Sequence, residues 1–166
     1  MLVDLGFPRM ILNHGVLEKF LPTIENMPKV SVILVLWNSK KYLKPVMDAV
    51  LGQTFKNLEL IAVINADDGA REILQRDYSA FAKASADKPQ VKVLDPGKNL
   101  GFAGGNNLGI KNSSGEFIQL VNPDLILEPD YVEKMLKAFA DPKVAAATGK
   151  LLRYDFAAPA EPERAS

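Results

Sequence analysis

Five short apolar runs, separated by stretches with helical spacing, constrain this chain more than any other feature. The runs are Val30–Leu36, Leu58–Ile64, Val91–Leu94, Phe117–Val121 and Val144–Thr148. The first two are near-continuous, the pattern of strands covered on both faces, and the first is rich in β-branched residues and leucine. Between them, Tyr42, Leu43, Val46, Met47, Val50 and Leu51 recur at helical spacing. Ile73, Leu74, Tyr78 and Phe81 mark a second helix, and Val132, Met135, Leu136 and Phe139 mark another after Pro129-Asp130. Strands alternating with helices argue for an α/β fold: an open, mostly parallel sheet with right-handed crossovers and helices on both faces. A length of 166 residues suits one compact domain of this kind.

The breaks between runs carry further expectations. Ser39 is placed to cap the first helix. Pro45 inside that helix's stripe predicts an irregular first turn or a start near Leu43. Residues 83–90 read as an exposed connection. The stretch 97–109 is dense in glycine and asparagine and reads as a loop running into a short helix near Asn106 to Asn112. Residues 1–28 form an N-terminal extension. There Val16, Leu17, Phe20, Leu21 and Ile24 predict short helices interrupted at Pro22, and no cationic face supports a membrane-surface helix. The domain proper is expected over 29–156, and 157–166, with two prolines and no apolar period, reads as a disordered tail.

Composition narrows the function. Lysine plus arginine equals aspartate plus glutamate, 20 against 20, and no basic block gives a nucleic acid a footing. Cysteine is absent, which removes thiol nucleophiles, zinc–cysteine sites and disulfides. The only histidine, His14, stands far from any motif, which argues against histidine catalysis and multi-histidine metal sites. No apolar run approaches the ~20 residues that span a bilayer, and the N-terminus lacks a signal-peptide pattern. The expected location is cytoplasmic, either free or peripheral to the inner face of the membrane.

Three polar segments, 37–39, 65–69 and 122–124, each follow a buried run. In a parallel sheet they converge on the carboxyl edge, where open α/β sheets bind ligands. Asn122-Pro123-Asp124 is the sharpest of them. Pro123 cannot donate to a ladder, so the strand ends there and leaves an amide oxygen and a carboxylate just beyond it. Hard cations such as Mg²⁺ or Mn²⁺ take oxygen ligands and share them with substrate phosphates. The expectation is that Asp124 holds such a cation against a nucleotide diphosphate. A plain turn is the competing reading of the tripeptide. The glycine stretch resembles a phosphate cradle but matches neither the Walker nor the G-x-G-x-x-G spacing, and a helix-packing turn explains it as well. Trp37 suits either base stacking or a partly buried strand end, Asn106 and Asn107 suit helix caps or turns, and Tyr42 suits core or loop packing.

Taken together, these segments resemble a known family. VSVILVLWNSKKYL (30–43) is similar to the opening of glycosyltransferase family 2 enzymes with the GT-A fold, and QTF (53–55) followed by LELI (58–61) to their second strand and its approach. NLGFAGGNNLGI (99–110) resembles a segment of the rhamnosyltransferase-like branch. VNPD (121–124) falls where the family's Asp-x-Asp metal motif belongs. The resemblance covers roughly residues 29–156 and implies a Rossmann-like nucleotide-binding half. It implies transfer of a sugar, with inversion, from a nucleotide-diphosphate donor to an acceptor hydroxyl on a saccharide or lipid-linked molecule. A divalent cation, Mg or Mn, would assist as a Lewis acid. Carried over, Asp124 is the metal or diphosphate ligand and Asn122 stands for the motif's first aspartate. Trp37, Asn38 and Asn65 would line the nucleotide pocket, and Asn99, Gly101, Gly104 and Asn107 would hold the glycine segment beside the donor.

Two departures qualify the resemblance. Ile64 stands where the family has an aspartate at the end of its second strand, with Asp67 and Asp68 as candidate substitutes. The family's general base lies in an acceptor half that has no counterpart here, so no catalytic base is assigned. The alternative reading is therefore a truncated, non-catalytic nucleotide-sugar-binding module, completed by a partner chain or by self-association. A sugar-phosphate nucleotidyltransferase ranks below both, because it needs a glycine-rich, arginine-containing loop where Trp37-Asn38-Ser39-Lys40-Lys41 stands.

Overall fold

The computed structural model describes residues 29–66, 68–79 and 89–152. The expectations for 1–28, Phe81, most of the 83–90 connection and 157–166 lie outside the described residues. Four strands, β1 (Val30–Leu36), β2 (Leu58–Ile64), β3 (Gln90–Leu94) and β4 (Phe117–Val121), form one sheet in the order β3-β2-β1-β4. Every neighbouring pair is parallel, with Val30 opposite both Leu58 and Phe117. The helices are α1 (Lys40–Leu51), α2 (Ala70–Tyr78), α3 (Gly101–Lys111) and α4 (Tyr131–Ala138).

Side chains alternate across the two faces of a strand, so each of the two central strands feeds two cores. On one face, Val32, Leu34 and Leu36 of β1 and Leu60, Ala62 and Ile64 of β2 pack with Leu43, Val46, Met47 and Val50 of α1, Leu74 of α2 and Val132 of α4. On the other, Ile33, Val35, Ile61 and Val63 meet Leu94 of β3 and Leu108 of α3. Helices therefore cover both faces, as the continuous apolar runs imply. Each fully buried leucine here contributes about 1.5–3 kcal/mol by leaving water.

Helix α1 starts at Lys40, not near Leu43, and Pro45 lies inside it. Ser39 makes no side-chain cap bond. Instead, the Oδ2 of Asp68, from the loop after β2, accepts the Lys40 N–H at 2.8 Å. An orphan donor is thus satisfied from outside the helix, and the start moves ahead of the proline.

The glycine-rich stretch is helix α3 from Gly101 onward rather than a loop ending near Asn106. Its glycines serve close approach to β1. A Cβ built at Gly105 would lie 2.7 Å from Val35 Cγ1, and one at Gly109 would lie 2.4 Å from Ile33 Cγ2. Alanine favours a helix over glycine by about 1 kcal/mol, but overpacking a core costs about 1–3 kcal/mol. Gly109→Ala should therefore be net destabilising. An unchanged urea midpoint would mean that α3 can move off the sheet freely.

The fifth expected strand does not form. Residues 144–150 are irregular, and Ala145 to Thr148 are exposed beside β4 and α4. Alanines have low strand propensity and, left exposed here, bury no apolar face that would fix them in a ladder.

One ionic cluster lies at the amino edge of the sheet. Glu59 of β2 is fully buried. Its Oε1 accepts from Ser31 Oγ at 2.7 Å, Ser114 N–H at 2.6 Å and Ser114 Oγ at 2.8 Å. Its Oε2 lies 2.8 Å from Lys92 Nζ and 3.5 Å from Lys29 Nζ. Burial pushes this carboxyl upward, but the Lys92 ammonium beside Oε2 and hydrogen bonds from Ser31 and Ser114 outweigh it and hold the pKa down to about 2.

Candidate functional site

All strands being parallel, their carboxyl ends share one edge. The loop after β1 leads to α1 on one face, while β4, the neighbour of β1, is reached from α3 on the other. The chain's connections diverge between β1 and β4, the topological position where open α/β sheets bind ligands. A cavity of about 580 Å³ lies at this edge.

Each wall is set by local structure. Asn38 turns the chain between β1 and α1 with φ +47°, a left-handed conformation that asparagine tolerates better than most residues. That turn leaves Trp37 56% exposed on the cavity. Asn65 ends β2, and its backbone N–H donates to the Leu36 carbonyl at 2.8 Å. Asn99, Gly101 and Phe102 come from the start of α3, with Phe102 63% exposed. Asn122, Pro123 and Asp124 follow β4. Two exposed aromatic faces thus share a cavity with a carboxylate.

The structure brings Trp37, Asn38, Asn65, Asn99, Gly101, Asn122 and Asp124 together around this space. It does not bring in Gly104 or Asn107. Because α3 begins at Gly101, those two positions rotate away from the cavity, and Asn107 is exposed on the helix. Tyr42, given to the core by its helical spacing, lines the cavity instead, and Phe102, which no spacing argument singled out, does too. The signal for Phe102 was a large apolar residue among glycines at a helix start, where no core can reach it. Ile64 is buried in the core and does not line the cavity. Asp68 binds the start of α1 through Oδ2, while its Oδ1 and the nearby Ser39 Oγ are buried without a hydrogen-bond partner among the described residues.

Asp124 and Asn122 are exposed on the cavity and make no side-chain hydrogen bond among the described residues. No group of three or more His, Cys, Asp or Glu residues that could hold a metal occurs among the described residues. That is no closed protein cage. It fits a cation held by one carboxylate, water and ligand phosphates, the usual mode for Mg²⁺. Among the described residues, no helix is long and apolar enough to cross a membrane.

Comparison with known proteins accords with this geometry. Residues 31–161 match the family described as Glycosyl transferase family 2. The chain is 30% identical over 113 residues to an uncharacterized glycosyltransferase of Haemophilus influenzae, covering 68% of this chain and 33% of that protein. It is 31% identical over 114 residues to the putative glycosyltransferase EpsH of Bacillus subtilis, covering 69% of this chain and 31% of that protein. The chain thus spans about a third of the length of these relatives. Among solved structures, S. aureus TarS 1-349 superposes with a TM-score of 0.57 at 25% identity, over 69% of this chain and 32% of that one. The mannosyltransferase PcManGT from Pyrobaculum calidifontis, solved with GDP-Man and Mn²⁺, superposes with a TM-score of 0.64 at 22% identity, over 74% of this chain and 35% of that one, a likeness of fold. On the family match, which covers most of the sequence, the chain belongs to glycosyl transferase family 2.

Proposed function

We propose that the cavity takes the nucleotide-diphosphate part of a sugar donor, and that the protein transfers the sugar with inversion to a hydroxyl of a saccharide or lipid-linked acceptor. The observation that carries this reading is the oxygen pair of Asn122 and Asp124, unengaged by other described side chains, facing the same space as the exposed Trp37 and Phe102. A diphosphate needs a cationic or metal partner, and a base needs a flat apolar surface. The cavity offers a metal ligand for the first and aromatic faces for the second.

Asp124 and Asn122 would hold Mg²⁺ or Mn²⁺. When bound, such a cation supplies Lewis-acid stabilisation of charge on the departing diphosphate. Trp37 and Phe102 would orient the base and exclude water from it. In the transfer itself, the acceptor oxygen forms a bond to the anomeric carbon as the bond to the diphosphate oxygen breaks. The acceptor proton passes to a base that we assign to no described residue.

A second reading has its own observation. Asp124 is the only carboxylate lining the cavity among the described residues, so a metal ligand there leaves no acid to serve as base. Donor binding without transfer is then the function of these residues alone. The likeness of 99–110 to the rhamnosyltransferase-like branch, a cytoplasmic or membrane-peripheral location and a partner or second copy completing the acceptor side belong to the same proposal.

Calorimetric titration with UDP, GDP and dTDP, each with Mn²⁺ or with EDTA, tests the donor site. Binding of one of them only with Mn²⁺ is the expected outcome. Absence of binding by folded protein under all conditions would sink the donor reading, and sugar release from a bound donor to an added acceptor would exclude the binding-only reading.

A further inference from the structure

Asn65 and Asn99 both line the cavity, yet the side chain of Asn65 is spent on the protein itself. Asn65 is 3% exposed. Its Oδ1 accepts the Leu100 N–H at 2.8 Å. Its Nδ2 donates to Asn99 Oδ1 at 2.8 Å and to the Gly101 carbonyl at 3.2 Å. A side-chain amide has two N–H donors and one carbonyl oxygen, so both donors are spent and the oxygen is engaged. Asn99 Oδ1 also accepts the Gly101 N–H at 2.8 Å. A ligand reaching Asn65 would have to compete with bonds that are already made and buried.

We infer that Asn65 and Asn99 are positioning residues: their linked side chains tie the loop 99–101 to the carboxyl end of β2 and thereby fix the cavity wall that carries Gly101 and Phe102. This rests on the cavity being the donor site, and it changes the role that the sequence gave Asn65. The start of α3 lacks a conventional cap, since its N-cap residue is Leu100, which makes no side-chain cap bond. The tie to Asn65 supplies that function from a neighbouring strand. Gly101, at φ +70°, lets the backbone turn into the helix directly after it. Because β2 is locked in the sheet and the Asn65 backbone is bonded to Leu36, the tie refers the loop to the rigid centre of the fold.

The two asparagines have different chemical requirements, and this makes the inference testable. Asn65 must donate twice and accept once. Aspartate there keeps the acceptor for Leu100 but turns a second oxygen toward Asn99 Oδ1 and the Gly101 carbonyl, three acceptors with no proton among them. Among the described residues, Asn99 is used only through Oδ1, as an acceptor. Aspartate at 99 meets both donors and retains the tie.

Hydrogen exchange at the Leu100 and Gly101 amides, with nucleotide affinity measured in parallel, tests this on the full chain. Asn65→Asp and Asn65→Ala should each speed exchange at Leu100 by about tenfold or more and weaken Mn²⁺-nucleotide binding by about tenfold, the scale of one lost buried hydrogen bond. Asn99→Asp should leave exchange at both amides within about threefold of the parent, the scale of a change that costs no hydrogen bond. Equally fast exchange in Asn65→Asp and Asn99→Asp would overturn the inference, and so would faster exchange in Asn65→Asp with unaltered affinity. Urea midpoints of each variant separate loss of the wall from loss of the fold. If the parent binds no nucleotide, the donor reading fails, while the exchange data still decide whether the tie exists.

Discussion

Glu59→Gln lowers the unfolding free energy by about 3 kcal/mol at pH 7, toward the lower end of the cost of breaking a buried ion pair. The lower end applies because Lys29 and Lys92 keep 35% and 32% of their side-chain surface in water, whereas Glu59 keeps none. Glutamine fits the space and can still accept from Ser31 and Ser114 through one oxygen. Its amide nitrogen then faces the Lys92 ammonium, donor against donor, where a carboxylate oxygen stood at 2.8 Å. The pH dependence identifies the cause. The folded carboxyl titrates at about 2, against an ordinary 4.5. A group with a depressed folded pKa contributes stability above its unfolded pKa and loses it as pH falls toward the folded one. The parent–variant difference should thus be full at pH 7, begin to shrink below about 4.5 and be largely gone near 2. Urea midpoints of both proteins at four or five pH values measure it. A difference that stays constant down to pH 2 would assign the effect to packing rather than charge.

If Asp124 is the metal ligand, Asp124→Ala should weaken Mn²⁺-dependent nucleotide binding by roughly 100-fold or more, equivalent to about 2.7 kcal/mol. The carboxylate is exposed and makes no side-chain hydrogen bond among the described residues, so its removal should leave the unfolding free energy within about 0.5 kcal/mol of the parent, as urea titration would show. The variant therefore separates binding from folding. Asp124→Asn keeps one oxygen and should fall between the two. Asn122→Asp adds a second carboxylate on the same turn and should tighten Mn²⁺-dependent binding, since hard cations favour charged oxygen. Should Asp124→Ala bind as tightly as the parent, the metal ligand lies elsewhere and Asn-Pro-Asp is only the turn that ends β4.

The sheet was readable in the sequence because its signal is local. Val30–Leu36, Leu58–Ile64 and Phe117–Val121 appear as strands with those same bounds, since each apolar run stops where a polar break begins. The glycine segment misled because glycine favours loops in general, whereas here it permits contact with Val35 and Ile33, residues some 70 positions away that no window can see. Val144–Thr148 looked like a strand on composition, and only the sheet decides whether a ladder forms. Glu59 passed unnoticed inside a run that reads as apolar, although a lone acid in such a run has to find a cation. At the candidate site the sequence indicates the edge of the sheet but not the full lining, since Gly104 and Asn107 turn away while Tyr42 and Phe102 face the cavity. Asn65 was placed at the right edge, but its hydrogen bonds lead to residues more than 30 positions downstream.

Strand β2 carries the charge cluster at its second residue and the loop tie just past its last. Asn65 lies six positions beyond Glu59, roughly 20 Å along the strand, and effects of changes that far apart add without coupling. One end of the strand holds the domain together, and the other shapes what enters it. Descendants of such a domain can therefore rewrite the rim, and with it what the cavity accepts, while inheriting the foundation unchanged.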